Sequence, residues 1–168
     1  YPPDLSAGSF RAVTLVTALF KKVSSEDELH VITTHPNRYP SHKVVAEDIE
    51  TEENITIHRI KVPTHHSGMT SQALIFAIFG WHAVRNCFHL KPDFIIDFVS
   101  IAMVHQSWEF PHVYFDINVQ YKLHIFKNLY KFSFLKKYIL ISTPEIFGDT
   151  KKSLKENGCI FNPSTPYA

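Results

Sequence analysis

Three short apolar segments, spaced by about the length of a helix, constrain the fold of this chain more than any other feature of its sequence. They are Asp93–Val99, His112–Ile117 and Tyr138–Ser142. Short apolar runs of this kind are typical of strands buried on both faces, and such strands occur in parallel sheets. Their alternation with helix-length segments predicts an α/β fold, an open parallel sheet with right-handed connections and helices on both faces.

The first half of the chain adds further helices and strands to this pattern. The acidic run Glu47–Glu53 is predicted to be a solvated loop. No repeat, low-complexity segment or linker is visible, so we expect residues 1–168 to form a single domain. The predicted elements are a helix over 9–23, strands over Leu29–Thr33 and Ile55–Lys61, and a helix from Ser67 to about His89 that Lys91-Pro92 ends.

The composition excludes several classes of protein. Five glycines occur, but neither G-x-G-x-x-G nor G-x-x-x-x-G-K-[ST] is formed, so the standard phosphate-binding loops are absent from this sequence. The longest apolar run, 73–84, is about half of the ~20 residues that a membrane-spanning helix needs. Two cysteines and no visible secretory signal favour a cytoplasmic protein. His65-His66 do not resemble a metal site, because adjacent residues seldom bind one ion, so we expect no metal. We also expect no nucleic-acid partner.

Lysines and aromatic residues are interleaved in the second half of the chain, where no acidic residue occurs between Asp116 and Glu145. One interpretation is the solvated edge of a helix over a core, because lysine stems often cover apolar surface. The other is a surface that binds an anionic membrane peripherally, on its inner face, where ammonium groups beside large rings are favoured. The five lysines are Lys122, Lys127, Lys131, Lys136 and Lys137.

The N-terminal segment suits an anionic or hydroxylated ligand. Gly8 permits close approach of the backbone, and Ser9 lies at the start of a helix whose free N–H groups favour a phosphate or a sugar hydroxyl. Arg11 and Arg38 are candidates for bidentate phosphate binding. The alternatives are a plain turn capped by Ser9 and arginines that pair with local carboxylates such as Asp4.

Three motifs of the first half together resemble one known family. They are the Y-P-P-D loop with its small residues at 1–8, T-H-P-N-R-Y at 34–39 and H-S-G-M-T-S-Q at 66–72. In order and spacing, residues 1–98 resemble the acceptor-side domain of the GT-B glycosyltransferases of family 4, particularly the N-acetylfucosamine transferase-like enzymes of O-antigen and capsule synthesis.

The resemblance implies one Rossmann-like half of a GT-B fold with its first strand missing. It also implies a transferase that moves a sugar from a nucleotide-sugar donor to a lipid-linked or saccharide acceptor in surface polysaccharide synthesis. The donor domain is expected to be absent, so the domain would bind no cofactor and would be inactive without a donor domain or partner chain. The rival interpretations are a non-catalytic subunit that binds acceptor or membrane, and an α/β domain of unrelated function.

Two residues beyond the strand Asp93–Val99 complete the set of candidates. Ser100 and His105 follow the carboxyl end of that strand, where ligands of parallel sheets bind, and His105 is the candidate catalytic residue. The alternative for His105 is a histidine on a helix surface. Together with Gly8, both residues are expected along one edge of the sheet.

Overall fold

The α-helices and strands of the chain are divided between two units, 1–83 and 84–168. The computed structural model describes residues 1–4, 7–36, 44–64, 68–150, 153–155 and 157–168. Each unit contains its own sheet, and the two units are described separately. The single domain expected from the sequence stays a prediction.

The sheet of the first unit has the strand order β1-β3-β2. β1 (Leu29–Thr34) and β3 (Ile55–Ile60) are parallel, whereas β2 (Ile49–Glu52) runs antiparallel to β3. Helix α1 (Ala7–Phe20) precedes the sheet, and helix α2 (Met69–Leu90) follows it and continues past the boundary between the units. Ile57 and Ile60, both on β3, are the buried apolar side chains at the centre of this sheet.

The prediction of a loop over Glu47–Glu53 is wrong, because strand β2 lies within it. Glu53 has a positive φ of 52° and turns the chain into β3, so the backbone of β2 pairs with that strand. All residues of β2 are exposed, and charged side chains are well tolerated on an exposed edge strand. The carboxylate of Glu50 is also neutralised by the Arg59 guanidinium, which lies 2.7 Å away.

The sheet of the second unit is a parallel pair of short strands. In it Phe94 lies opposite Lys137, and Asp97 lies opposite Leu140. The buried core beside the pair consists of Ile101, Tyr114, Ile117 and Leu129, all of them no more than 4% exposed. The elements are β4 (Phe94–Asp97), α3 (Val104–Glu109), α4 (Pro111–Phe115), a π-helical segment (Asp116–Tyr121), α5 (Lys122–Leu129), β5 (Lys137–Leu140) and a 3₁₀ helix (Pro144–Phe147).

The strand predicted over His112–Ile117 is wrong, because this segment is helical. Pro111 occupies the first turn of α4, where its missing N–H leaves no helical hydrogen bond unmade. Tyr114 and Ile117 are buried three positions apart, which is the spacing of one helix face and not the alternation of a strand. A short apolar run has the same composition in a buried helix and in a buried strand, so its sequence does not separate the two.

The α/β class predicted from the sequence is confirmed by the parallel pairs β1–β3 and β4–β5, with α2 following the first pair and α3, α4 and α5 connecting β4 to β5. The antiparallel strand β2 makes the first sheet mixed.

Candidate functional site

The carboxyl ends of β4 and β5 form the best-organised polar edge of the second unit. Because the two strands are parallel, the segments that follow them leave the same edge of the sheet. The Ile141 N–H donates to the Asp97 carbonyl oxygen at 3.0 Å, which extends the pairing by one further hydrogen bond. Ligands of parallel α/β sheets bind at this kind of edge.

A buried carboxylate, Asp97, holds three elements together at this edge. It accepts hydrogen bonds from the Lys122 ammonium at 2.5 Å, from the Val99 N–H at 2.8 Å and from the phenol of Tyr138. The side chains of Asp97 and Lys122 are 9% and 11% exposed, so their ion pair is largely removed from water. Lys122 belongs to α5 and Tyr138 to β5, so the carboxylate joins β4 to both.

The electrostatics of this network favour a fixed hydrogen-bond arrangement over proton transfer. Burial raises the pKa of the Tyr138 phenol, and the hydrogen bond to Asp97 and its charge add to the effect. Tyr138 therefore stays protonated and donates to Asp97 at neutral pH. Burial also lowers the pKa of the Lys122 ammonium, although its contact with Asp97 acts in the opposite direction.

The loop that follows β4 is fastened to the neighbouring helix at two further points. The side-chain amide of Asn118 accepts from the Ile101 N–H at 2.9 Å and donates to the Ile101 carbonyl oxygen at 3.0 Å. The Tyr114 phenol donates to the Met103 carbonyl oxygen at 2.7 Å.

The π-helical segment explains why three side chains on successive helical turns all contact the loop that follows β4. Tyr114, Asn118 and Lys122 lie four positions apart, a spacing that drifts around an α-helix of about 3.6 residues per turn. The wider π turn between 116 and 121 offsets that drift, so all three side chains contact the segment 97–103.

Hydroxyl and carboxylate groups follow β5 at the same edge. Thr143 caps the 3₁₀ helix, where its hydroxyl accepts from the Glu145 N–H at 3.3 Å. Ser142 is exposed, and Thr143 and Glu145 are half-buried.

The C-terminal segment brings a phenol to this region. The Asn162 N–H donates to the Ile146 carbonyl oxygen at 2.8 Å, so the segment lies against the 3₁₀ helix. Five positions further on, the ring of Tyr167 packs edge-to-face on Tyr114, with ring centroids 6.5 Å apart. Tyr114 in turn bonds to Met103 in the loop after β4. Thr143, Glu145 and Tyr167 were not among the site residues predicted from the sequence, although S-T-P-E after an apolar strand is a signal for the first two.

A family model described as the NAD dependent epimerase/dehydratase family matches residues 18–168, which is all of the chain except its first 17 residues. The chain belongs to this family. No curated protein matches it. The match includes the whole second unit, with the edge formed by β4 and β5.

The expected family 4 glycosyltransferase is therefore wrong, and so is the acceptor-binding function inferred from it. The expectation of an enzyme is confirmed, but in a different class. Both families contain Rossmann-like α/β units, so the alternation of strands and helices does not distinguish them. The motifs that suggested the transferase consist of glycine, proline and small or polar residues, and all three lie partly outside the described residues.

The described glycines do not fit the pyrophosphate of the NAD that the family name specifies. Binding a pyrophosphate requires a glycine-rich turn between a strand and a helix. Gly8 lies inside α1 and Gly80 inside α2, and Gly68, with a φ of 141°, precedes α2 without the G-x-G-x-x-G spacing. Gly148 ends the 3₁₀ helix, and Gly158 lies in a bend, so neither stands between a strand and a helix. The described glycines therefore form no pyrophosphate site for NAD.

The candidate residues at the N-terminus lie in the first two turns of α1. Gly8 and Arg11 are exposed, and Ser9 is 2% exposed. Arg38 lies outside the described residues, as do His65 and His66. A phosphate or sugar site formed by Gly8, Ser9 and Arg11 stays a prediction.

Ser100 and His105 both belong to the second unit but have different surroundings. Ser100 is half-buried in the loop after β4, at the candidate edge. The side chain of His105 is 83% exposed on α3, and its Nδ1 atom lies 3.6 Å from a carboxylate oxygen of Glu109 one turn later. This is the arrangement of a histidine on a helix surface. The common edge expected for these two residues and Gly8 stays a prediction.

The five lysines of the basic, aromatic segment differ in their surroundings. Lys122 is buried against Asp97, and Lys136 forms a surface ion pair of 2.8 Å with Asp93. Lys127, Lys131 and Lys137 are exposed, and the first two follow the exposed rings of Phe126 and Tyr130 in the sequence. In the part of the chain that the structure describes, no helix combines the length and hydropathy that crossing a membrane requires.

Proposed function

We propose that this protein modifies the sugar of a sugar nucleotide, as an epimerase or a dehydratase, and that the sugar lies at the edge formed by the carboxyl ends of β4 and β5. The family match over residues 18–168 is the observation that supports this proposal most strongly. The hydroxyl of Thr143 and the carboxylate of Glu145, which follow β5, also support it, because such groups can bind a sugar hydroxyl or transfer a proton.

Epimerisation and dehydration of a sugar both include proton transfer, either at a hydroxyl group or at a carbon next to a carbonyl group. Such steps need a positioned acid or base within hydrogen-bond reach of the substrate. Glu145 provides a carboxylate and Tyr167 a phenol, and the Thr143 hydroxyl can fix a sugar hydroxyl by a hydrogen bond. We assign Glu145 and Tyr167 as the proton-transferring groups and Thr143 as the group that orients the sugar.

The network of Asp97, Lys122 and Tyr138 supports this edge from within. It holds the ends of β4 and β5 together and fastens them to α5. A site held on strands and helices in this way keeps its geometry better than a site on loops alone. These three residues are therefore positioning residues and do not contact the substrate in this proposal.

The direct test is conversion of a sugar nucleotide by the purified chain with NAD⁺ added. UDP-glucose, dTDP-glucose and GDP-mannose are incubated separately, and proton NMR records the epimer or the 4-keto-6-deoxy sugar. Saturation-transfer NMR of the same mixtures reports binding without turnover. If none of the three nucleotides is bound or converted, the proposal is refuted.

Matched variants locate the site. Glu145→Gln and Tyr167→Phe are expected to lower turnover by about 100-fold, the scale of general acid or base catalysis. Thr143→Val is expected to weaken saturation transfer to the sugar protons. The controls are Glu109→Gln and Tyr130→Phe, which remove an exposed carboxylate and an exposed phenol elsewhere in the second unit. Equal activity of all five variants would place the site away from this edge.

A further inference from the structure

Two histidines on neighbouring strands of the first unit face each other across the sheet. The Nδ1 atom of His30 lies 3.2 Å from the Nε2 atom of His58, and the ring centroids are 5.3 Å apart. The outer nitrogen of His30, Nε2, lies 3.3 Å from a carboxylate oxygen of Glu28. The three side chains thus lie in a row: the carboxylate of Glu28 contacts the imidazole of His30, and this imidazole contacts that of His58.

The strand register fixes this arrangement. His30 of β1 lies opposite Thr56 of β3, and His58 follows Thr56 by two positions, so both histidines lie on the same face of the sheet. The backbone of both strands is held by the parallel pairing that extends from Leu29 to Thr34. The side chain of His30 is 22% exposed, so the pair is partly removed from water but still reached by it.

We propose that His30 and His58 together bind one divalent transition-metal ion, with Glu28 as the outer partner of His30. Two imidazole nitrogens on one tetrahedral zinc ion, each at about 2.0–2.1 Å, lie roughly 3.3 Å apart. The observed separation of 3.2 Å already matches that spacing. Only the ring orientations need to change for both lone pairs to meet at one ion.

The proton balance of the pair permits this. If His30 Nε2–H donates to Glu28, the Nδ1 atom of a neutral His30 carries no proton and accepts the N–H of His58 Nε2. When a metal binds both inner nitrogens, the proton of His58 Nε2 moves to Nδ1 of the same ring. The His30 Nε2–H keeps its hydrogen bond to Glu28. A carboxylate behind a metal-binding histidine is the usual way in which proteins fix the ring and strengthen it as a ligand.

The ligand set points to a metal that prefers nitrogen. Within the described residues no group of three or more histidine, cysteine or acidic side chains forms a metal site, so water would complete the coordination of an ion held by this pair. Imidazoles favour Cu²⁺, Ni²⁺ and Zn²⁺, whereas Mg²⁺ and Ca²⁺ prefer oxygen. This inference is independent of the proposed function, because the pair belongs to the first unit and the edge of β4 and β5 to the second.

The experiment is isothermal titration of the full chain with ZnCl₂, NiCl₂ and MgCl₂. His30→Gln and His58→Gln are each expected to weaken Zn²⁺ and Ni²⁺ binding at one site at least tenfold, and Glu28→Gln about tenfold, the scale of losing an outer-sphere partner. The matched controls are His35→Gln and His105→Gln, since each of these histidines also contacts a single carboxylate. The controls are expected to bind like the parent, and Mg²⁺ is expected not to bind to this pair.

A second measurement on the unchanged chain keeps the proposal testable if a variant fails to fold. Zn²⁺ is titrated while NMR follows the ring signals of His30 and His58, which should shift together and reach saturation at one ion. Metal binding that is equal in parent, His30→Gln and His58→Gln would overturn the proposal. So would ring signals of the two histidines that do not respond to Zn²⁺, and the pair would then be a hydrogen-bonded contact only.

Discussion

The ion pair of Asp97 and Lys122 is expected to contribute to stability, because a buried charge is costly when its partner is removed. Removing one member of a buried ion pair leaves the other without compensation, which costs about 3–5 kcal/mol. Lys122→Met is therefore expected to lower the free energy of unfolding by about 3 kcal/mol in urea titrations followed by circular dichroism. Adding Asp97→Asn to this variant should make the loss smaller, because no uncompensated carboxylate remains.

The matched control for this prediction is Lys136→Met, which removes a lysine whose side chain is 68% exposed and paired with Asp93. An exposed pair contributes less than about 1 kcal/mol, so the loss should be small. Losses of equal size in the Lys122 and Lys136 variants would show that Asp97 and Lys122 do not form a buried pair.

The thiol of Cys87 reports on the same carboxylate. Burial raises the pKa of Cys87 above its ordinary value of 9.0, and the charge of Asp97 raises it further. Because the thiolate is the reactive form, alkylation of Cys87 by iodoacetamide should become fast only above that pH. Asp97→Asn removes one of the two causes, so the rate profile should move to lower pH. Mass spectrometry of the Cys87 peptide measures the alkylation rate at each pH. The same pH dependence in parent and Asp97→Asn would contradict the proximity of Asp97 to Cys87.

At the scale of elements, Asn118 connects the π-helical segment to the loop after β4. Its amide satisfies both the N–H and the carbonyl oxygen of Ile101, a residue that is 4% exposed. Asn118→Ala leaves two buried backbone groups unpaired, so a loss of about 2 kcal/mol in unfolding free energy is expected, together with faster hydrogen exchange at Ile101. The control is Asn128→Ala, because the side-chain amide of Asn128 donates to the carbonyl oxygen of His124 on the exposed helix surface. Unchanged exchange at Ile101 would contradict this connection.

Elements with a clear apolar pattern could be predicted from the sequence. Elements whose structure depends on which other segment they pair with or pack against could not. β1, β3, β4 and β5 were predicted close to their observed positions, since each contains a short apolar run. β2 was missed because an exposed edge strand is stabilised by backbone pairing with β3, and its acidic side chains give no apolar pattern. The segment after Pro111 was misread because a short buried helix and a short buried strand share one composition.

The candidate site could be predicted only in part, because contacts between residues distant in the sequence leave no local pattern. The rule that ligands bind at the carboxyl ends of parallel strands placed Ser100 at the edge of β4 and β5. It did not reveal Lys122 as the partner of Asp97, because the two residues are 25 positions apart and the sequence has no acidic residue between Asp116 and Glu145. Charge compensation in space is not visible in charge patterning along the chain.

At the scale of the whole molecule, the three short motifs in the first half of the chain suggested the wrong family. Glycine, proline and small residues between a strand and a helix serve any Rossmann-like unit that brings backbone close to a ligand. The match over residues 18–168 extends across both units and decides between the two families. In such folds the function depends on the groups at the strand ends and not on the fold itself, so motifs shared between Rossmann-like units do not separate the two families.

The anionic membrane surface proposed for the basic, aromatic segment is also tested at the scale of the whole molecule. Since Lys122 is buried and Lys136 is paired with Asp93, the proposal now rests on Lys127, Lys131 and Lys137. Each lysine near an anionic membrane contributes about 1 kcal/mol, so changing all three to Gln should weaken sedimentation with phosphatidylserine vesicles by roughly 100-fold at low salt.

The control for the membrane prediction changes Lys21, Lys22 and Lys91 to Gln, which removes the same charge from exposed positions outside the segment. Binding should fall as salt screens the charges and should be absent with phosphatidylcholine vesicles. If both triple variants bind equally, net charge alone explains the interaction. If the parent binds neutral vesicles as well as anionic ones, the lysines do not recognise lipid charge. Either result would return Lys127, Lys131 and Lys137 to the solvated edge of a helix over a core, because their stems then serve only to cover apolar surface.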